Sequence, residues 1–149
     1  MGSILIITIT SLSLILLMCV FFLVNPSYEK SIRAKYYFEV GEYQEALVLA
    51  KESFAIDVYN RMAATVMAQT ITSLKYVEYI NMGEKYIKEI DEIATHEFIS
   101  DADKAKIRII CEIMIGSYIK ISHSVITDKE LIKQSENNYQ KFNQLIWNY

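Results

Sequence analysis

Proline is nearly absent from this 149-residue chain: Pro26 is the only one, and glycine occurs four times. Tight β reversals draw heavily on those two residues, which supply a fixed or a positive φ. Their scarcity excludes a turn-rich β architecture and points to helices with short connections. Cysteine is equally sparse. Cys19 and Cys111 are too few for a disulfide framework, and Cys19 lies inside an apolar run, which makes a bridge between them implausible. A dominant sign of charge is missing too. Fifteen Lys and Arg against eighteen Asp and Glu leave a net charge of −3, with the two signs interspersed. Without a basic patch, nucleic acid is not an expected partner.

Residue groupings that carry chemistry are also missing. His96 and His123 stand alone, each on or beside an expected connection. No nucleophile–base order, pair of metal ligands at helical spacing or phosphate-binding loop accompanies them. Asp101 and Asp103 fall at a helix start, where carboxylates complement the helix dipole. Cys111 follows Ile109-Ile110 and reads as a small buried hydrophobe. The expectation is a protein that is not an enzyme, with no cofactor, no metal and no small-molecule substrate.

What is present begins with a long apolar run. Ile4 to Val24 contains no charge, no Gly and no Pro. As a helix it spans about 31 Å at about 1.5 Å per residue, the thickness of a bilayer's hydrocarbon core. A retained anchor is expected over a cleaved signal peptide: Met1-Gly2-Ser3 carries no basic side chain, and Phe22-Leu23-Val24 offers no small-residue cleavage site. Met18 spoils a lipobox at Cys19, and Ile6 spoils a myristoylation motif. Thr8, Thr10, Ser11 and Ser13 lie in the first half of the run, where small polar residues favour close helix contacts. Lys30, Arg33 and Lys35 follow the run and no basic residue precedes it. The positive-inside rule therefore places the following domain in the cytoplasm of a single-pass inner-membrane protein, with the periplasm as the alternative.

Residues 1–25 are thus read as a transmembrane anchor and 26–149 as an all-α domain. Pro26 disfavours helix in the residue before it, so a break is expected there. Helices are expected over Tyr28–Val40 and Tyr43–Phe54, then from an Asp57 cap over Val58–Leu74, then over Tyr76–Ile93. Ser100 with Asp103 resembles a capping box opening a helix to about Ser122, and Thr127 with Glu130 resembles another opening the last helix. The sum is six helices after the anchor, read as three antiparallel hairpins.

In the first pair, Ala34-Lys-Tyr-Tyr37-Phe38-Glu-Val-Gly41-Glu-Tyr43-Gln-Glu-Ala46-Leu47, then Ala50 and Ser53-Phe54, closely resembles the tetratricopeptide (TPR) signature. The physical reason is packing. Two helices joined by a short turn approach closely only where side chains are small, as at Ala34, Ala46 and Ala50. Aromatics such as Tyr37, Phe38 and Tyr43 fill the wider ends of the wedge. Gly41 supplies the φ the turn requires. The resemblance covers about 30 residues. Val58 stands where the repeat ends in Pro. The second pair matches at Ala64 and Ala68, but Lys75-Tyr76-Val77-Glu78 lacks the Gly turn and Ile80 replaces the crossing Ala.

A TPR-like array on an anchor implies binding to other proteins. The expected partners are the lipid bilayer and another integral membrane protein or complex. The expected role is a non-enzymatic accessory or scaffold subunit of an envelope assembly, with an assembly chaperone or a peptide-binding TPR receptor as alternatives. The layout resembles accessory proteins of bacterial envelope machines, such as flagellar motor or secretion components. Candidate partner-binding residues are Thr8 and Ser11 in the span, Tyr36 on the outer side of the first helix, and Trp147 and Tyr149 in an aromatic tail that either caps the last hairpin or docks on a partner.

Overall fold

The computed structural model describes residues 2–121 and 128–148. It is all-α, with no strand among the described residues. Six helices follow one another: α1 Gly2–Val24, α2 Pro26–Glu39, α3 Tyr43–Ile56, α4 Arg61–Ala94, α5 Asp101–Ile121 and α6 Lys129–Leu145. Two compact units divide the chain, Met1–Thr70 and Ile71–Tyr149. Helix α4 contributes its start to the first unit and the rest to the second.

In the first unit, the break between α1 and α2 falls at Asn25, immediately before Pro26. Asn25 is extended (φ −79°, ψ 113°), and its side chain caps α2 by accepting from the Ser27 amide. Helices α2 and α3 pack as an antiparallel hairpin around Ala34, Ala46 and Ala50, all fully buried. At the turn, Gly41 adopts φ 85°, as its place in the sequence demands. Phe38 and Tyr43 close that end of the hairpin edge to face, with ring centroids 5.6 Å apart.

Beyond the first hairpin one expected boundary is absent. The expected helices Val58–Leu74 and Tyr76–Ile93 are one helix, α4, running unbroken through Lys75-Tyr76-Val77-Glu78. That stretch holds no Gly or Pro, and Tyr76, Tyr79 and Ile80 are buried on it, so continuing the helix costs nothing and fills a core. Five helices therefore follow α1 where three hairpins were expected. The cap of the third expected helix also moves. Asp57 ends α3, and Asn60 opens α4 by accepting from the Ala63 amide through its Oδ1 at 3.1 Å.

In the second unit, Tyr79, Ile90 and Ile93 of α4, Ile107, Ile110, Cys111 and Met114 of α5, and Phe142 of α6 form one core. Gly83 sits at a close approach: a Cβ there would lie 2.7 Å from Asn138 Nδ2 of α6. The Ser100–Asp103 box forms as read. Asp128 caps α6 by accepting from the Glu130 and Leu131 amides. The expected Thr127–Glu130 box involves a residue outside the described ones. Ser122, His123 and Thr127 lie outside the described residues.

Candidate functional site

The most specific polar arrangement in the molecule is one the sequence reading missed. Ser27 near the start of α2, Ser31 one turn on, Ser53 near the end of α3 and Asn60 at the start of α4 are all buried. The two ends of the hairpin are cross-linked reciprocally. Ser27 Oγ donates to the Ser53 carbonyl at 3.0 Å, and Ser53 Oγ donates to the Ser27 carbonyl at 2.6 Å. Ser31 Oγ donates to the Tyr28 carbonyl at 2.9 Å. With the three hydroxyl protons so committed, their oxygens are free to accept. Asn60 Nδ2 points at all three, 2.9 Å from Ser27, 3.2 Å from Ser31 and 3.3 Å from Ser53. Its two protons serve three acceptors while its Oδ1 caps α4, so the amide can take only one orientation.

This network joins α2, α3 and the start of α4 at the end of the hairpin where α1 arrives. Spaced Ser residues in a helix read as surface positions, and Asn60 reads as part of a loop. Only the sequence separation of the partners, from 7 to 33 residues, hides a pattern that is plain in space.

The proposed span is placed clearly. The stretch Ile4–Phe21 is long and apolar enough to cross a membrane, and none of it is buried. Thr8 Oγ1 donates to the Leu5 carbonyl at 2.9 Å, and Thr10 Oγ1 to the Ile6 and Ile7 carbonyls at 3.0 Å. Those hydroxyls are satisfied within the helix. Ser11, like Thr8, faces outward.

Tyr36 is 64% exposed, edge to face with the half-buried Tyr37 at 5.7 Å. Tyr37 lines an apolar groove of about 320 Å³ on the hairpin with Arg33, Gln44, Glu45, Val48 and Leu49. Trp147 is 84% exposed in the turn that ends α6, so it does not cap the core. Its neighbour Ile146 does pack against that core. Tyr149 lies outside the described residues. The structure thus places Thr8, Ser11 and Tyr36 in the first unit and Trp147 in the second.

The second unit holds its own polar features. A charged recess of about 800 Å³ is lined by Glu84, Lys85, Lys88, Glu92 and His96 among others. One pair of charges in its lining is matched: Lys106 Nζ meets Glu89 Oε1 at 2.6 Å, which raises the lysine's pKa. Asp103 accepts from the Ser100 hydroxyl at 2.7 Å and from its amide at 3.1 Å, and these bonds hold the carboxyl below its usual range. Tyr118 stacks on Tyr139 at 4.5 Å and tilts against Tyr79 at 5.8 Å. The hydroxyls of Tyr79, Ser73 and Ser135 are buried without a hydrogen-bond partner. Burial pushes up the Tyr79 phenol and the Cys111 thiol, keeping both neutral.

No family model, curated protein or solved structure matches the chain.

Proposed function

We propose that this is a non-enzymatic single-pass membrane protein whose helical domain binds another integral membrane protein, as an accessory or scaffold subunit of an envelope complex. The observation that carries the reading is α1. An apolar 18-residue stretch with none of its residues buried calls for a lipid surround, because water would leave it hydrated at great cost. A cleaved signal sequence shares that length and apolarity. The intact mass of the membrane-bound protein separates the two, and loss of the first 20 or so residues would sink the anchor.

The TPR-like identity of the α2–α3 hairpin belongs to the same proposal. Its support is the crossing at Ala34, Ala46 and Ala50 and the positive φ of Gly41. A tether confines the hairpin to the membrane and raises its effective concentration near a partner held there. Tyr36 and the groove beside Tyr37 supply an aromatic, partly apolar face of the kind enriched in protein interfaces. Lys30, Arg33 and Lys35 favour a cytoplasmic domain. Reaction of a Tyr36→Cys variant with an impermeant maleimide in intact cells would reverse that orientation.

The test is affinity capture from native membranes in mild detergent. A stoichiometric integral-membrane partner supports a subunit, and many substoichiometric clients support an assembly chaperone instead. Tyr36→Ala or Trp147→Ala should weaken capture at unchanged helical content. Both side chains are exposed, and Trp147→Ala spares Ile146, which a deletion of the tail would remove from the core. A monodisperse monomer from native membranes, with no partner, would refute the reading.

A further inference from the structure

We propose that the loop joining α3 to α4 is a second membrane contact, with Val58 and Tyr59 at its tip seated in the headgroup–acyl boundary of the bilayer that α1 crosses. The proposal rests on α1 being a membrane span.

Its position follows from the buried polar network. Helix α1 ends at Val24, and Ser27 lies three residues on, at most about 11 Å of chain away. Ser27 Oγ is 2.9 Å from Asn60 Nδ2 and bonded to Ser53, so the end of α3 and the start of α4 are pinned beside the exit of α1. Residues 57–59 lie between those anchors. The antiparallel hairpin puts its Gly41 turn at the opposite end, so this loop is the one on the membrane side. The zone between hydrocarbon and bulk water is about 5–8 Å deep on each face, so a loop held this close to the span's end comes within reach of it.

The composition and local geometry suit that zone. Tyr59 is 87% exposed and Val58 58%, with Ile56 and Met62 also exposed beside them. In water this is an unfavourable concentration of apolar surface on four nearby residues. At a membrane surface, Tyr keeps its hydroxyl among headgroups and its ring among upper acyl carbons. The backbone is prepared as well. The Tyr59 amide donates to Asp57 Oδ1 at 2.9 Å, and the Asn60 amide to the Asp57 carbonyl at 3.1 Å. Those two amides have no water to give up on entering the interface. Exposed Arg61 follows directly, where a cation can meet lipid phosphate.

The experiment uses the full chain, with the single native tryptophan replaced (Trp147→Phe) and one tryptophan introduced at a time. Tyr59→Trp reports the loop, Leu12→Trp the middle of the span and Tyr36→Trp the hairpin well above the membrane. Each protein is reconstituted into vesicles of phosphatidylcholine with a minor share of phosphatidylglycerol, with and without bromine on the acyl chains. Strong quenching and a blue-shifted emission at position 59, with several-fold weaker quenching at position 36, support the loop contact. Quenching at 12 but not at 59 overturns it while leaving the anchor intact, and means the loop faces water or a partner protein. Equal quenching at 59 and 36 also overturns it, because the hairpin would then lie along the surface. No quenching at 12 removes the anchor, and the loop contact with it.

Discussion

Tyr76 and Tyr79 lie three residues apart on α4, and their hydroxyls meet opposite fates. Tyr76 donates to the Ile121 carbonyl at 3.0 Å, whereas the buried Tyr79 hydroxyl has no partner. A paired hydroxyl is worth about 0.5–1.5 kcal/mol, while an unpaired buried one carries an unreturned desolvation cost of about 1–3 kcal/mol. Tyr76→Phe should therefore destabilise by about 1 kcal/mol and Tyr79→Phe should be neutral or stabilising by a similar amount. Urea unfolding in detergent micelles reads both, and the same sign for the two would contradict the hydrogen bonding described. Asn60 offers a sharper contrast with its neighbour. Asn60→Ala removes a helix cap and the donor that three buried serines share, an expected loss of about 2–4 kcal/mol. Tyr59→Ala in the same micelles should stay within about 0.5 kcal/mol, since the side chain is exposed.

The hairpin's turn and its crossing are held by different physics. Nothing lies within 4 Å of a Cβ built on Gly41, so the cost of Gly41→Val comes from the backbone alone: a left-handed residue costs about 1–2 kcal/mol. Ala46 is fully buried at the crossing, and Ala46→Leu must push the helices apart, for about 1–3 kcal/mol. Thermal melts check both, and indifference at Ala46 would mean the helices do not meet there. Helix α5 carries a pH dependence of known sign. Bonds from Ser100 hold Asp103 below its unfolded pKa, so its contribution is present above that unfolded value and is lost as pH falls through the lower, folded one. Amide exchange across the first turn of α5 should accelerate on acidification beyond its intrinsic change. In Asp103→Asn the difference should be flat. These elements were legible in part. Gly41 and the Ser100–Asp103 box announce themselves because turn and cap chemistry is local. A boundary near Lys75 has no breaker residue to mark it, because the stretch holds no Gly or Pro.

For the whole molecule the deciding fact is an N-terminal apolar stretch, Ile4–Phe21, with no buried residue. Its measure is simple: the full-length protein should stay in the pellet when membranes are washed with alkaline carbonate, and should require detergent for release. Release without detergent would mean that α1 is covered by protein and not by lipid. Thr8 bonds within its own helix, and both it and Ser11 are exposed, so any intramembrane contact they make is with another chain or with lipid. Tyr36 and Trp147 are both exposed. Exposure alone identifies surfaces on which a partner can act, and the capture experiment decides whether one does.

Features set by near neighbours in the chain were readable from composition and spacing: the apolar span, the break before Pro26, the all-α class, the alanine crossing and the Gly41 turn. Each depends on a residue's intrinsic φ preference, its polarity or its helical period, and these act within a turn or two. The fusion of two expected helices into α4 and the Ser27–Ser31–Ser53–Asn60 network were decided by tertiary structure. The network depends on proton counting among groups up to 33 residues apart. A serine's role there is set by which carbonyl and which amide the fold brings to it, because a hydroxyl bonds equally well to water until packing removes the water.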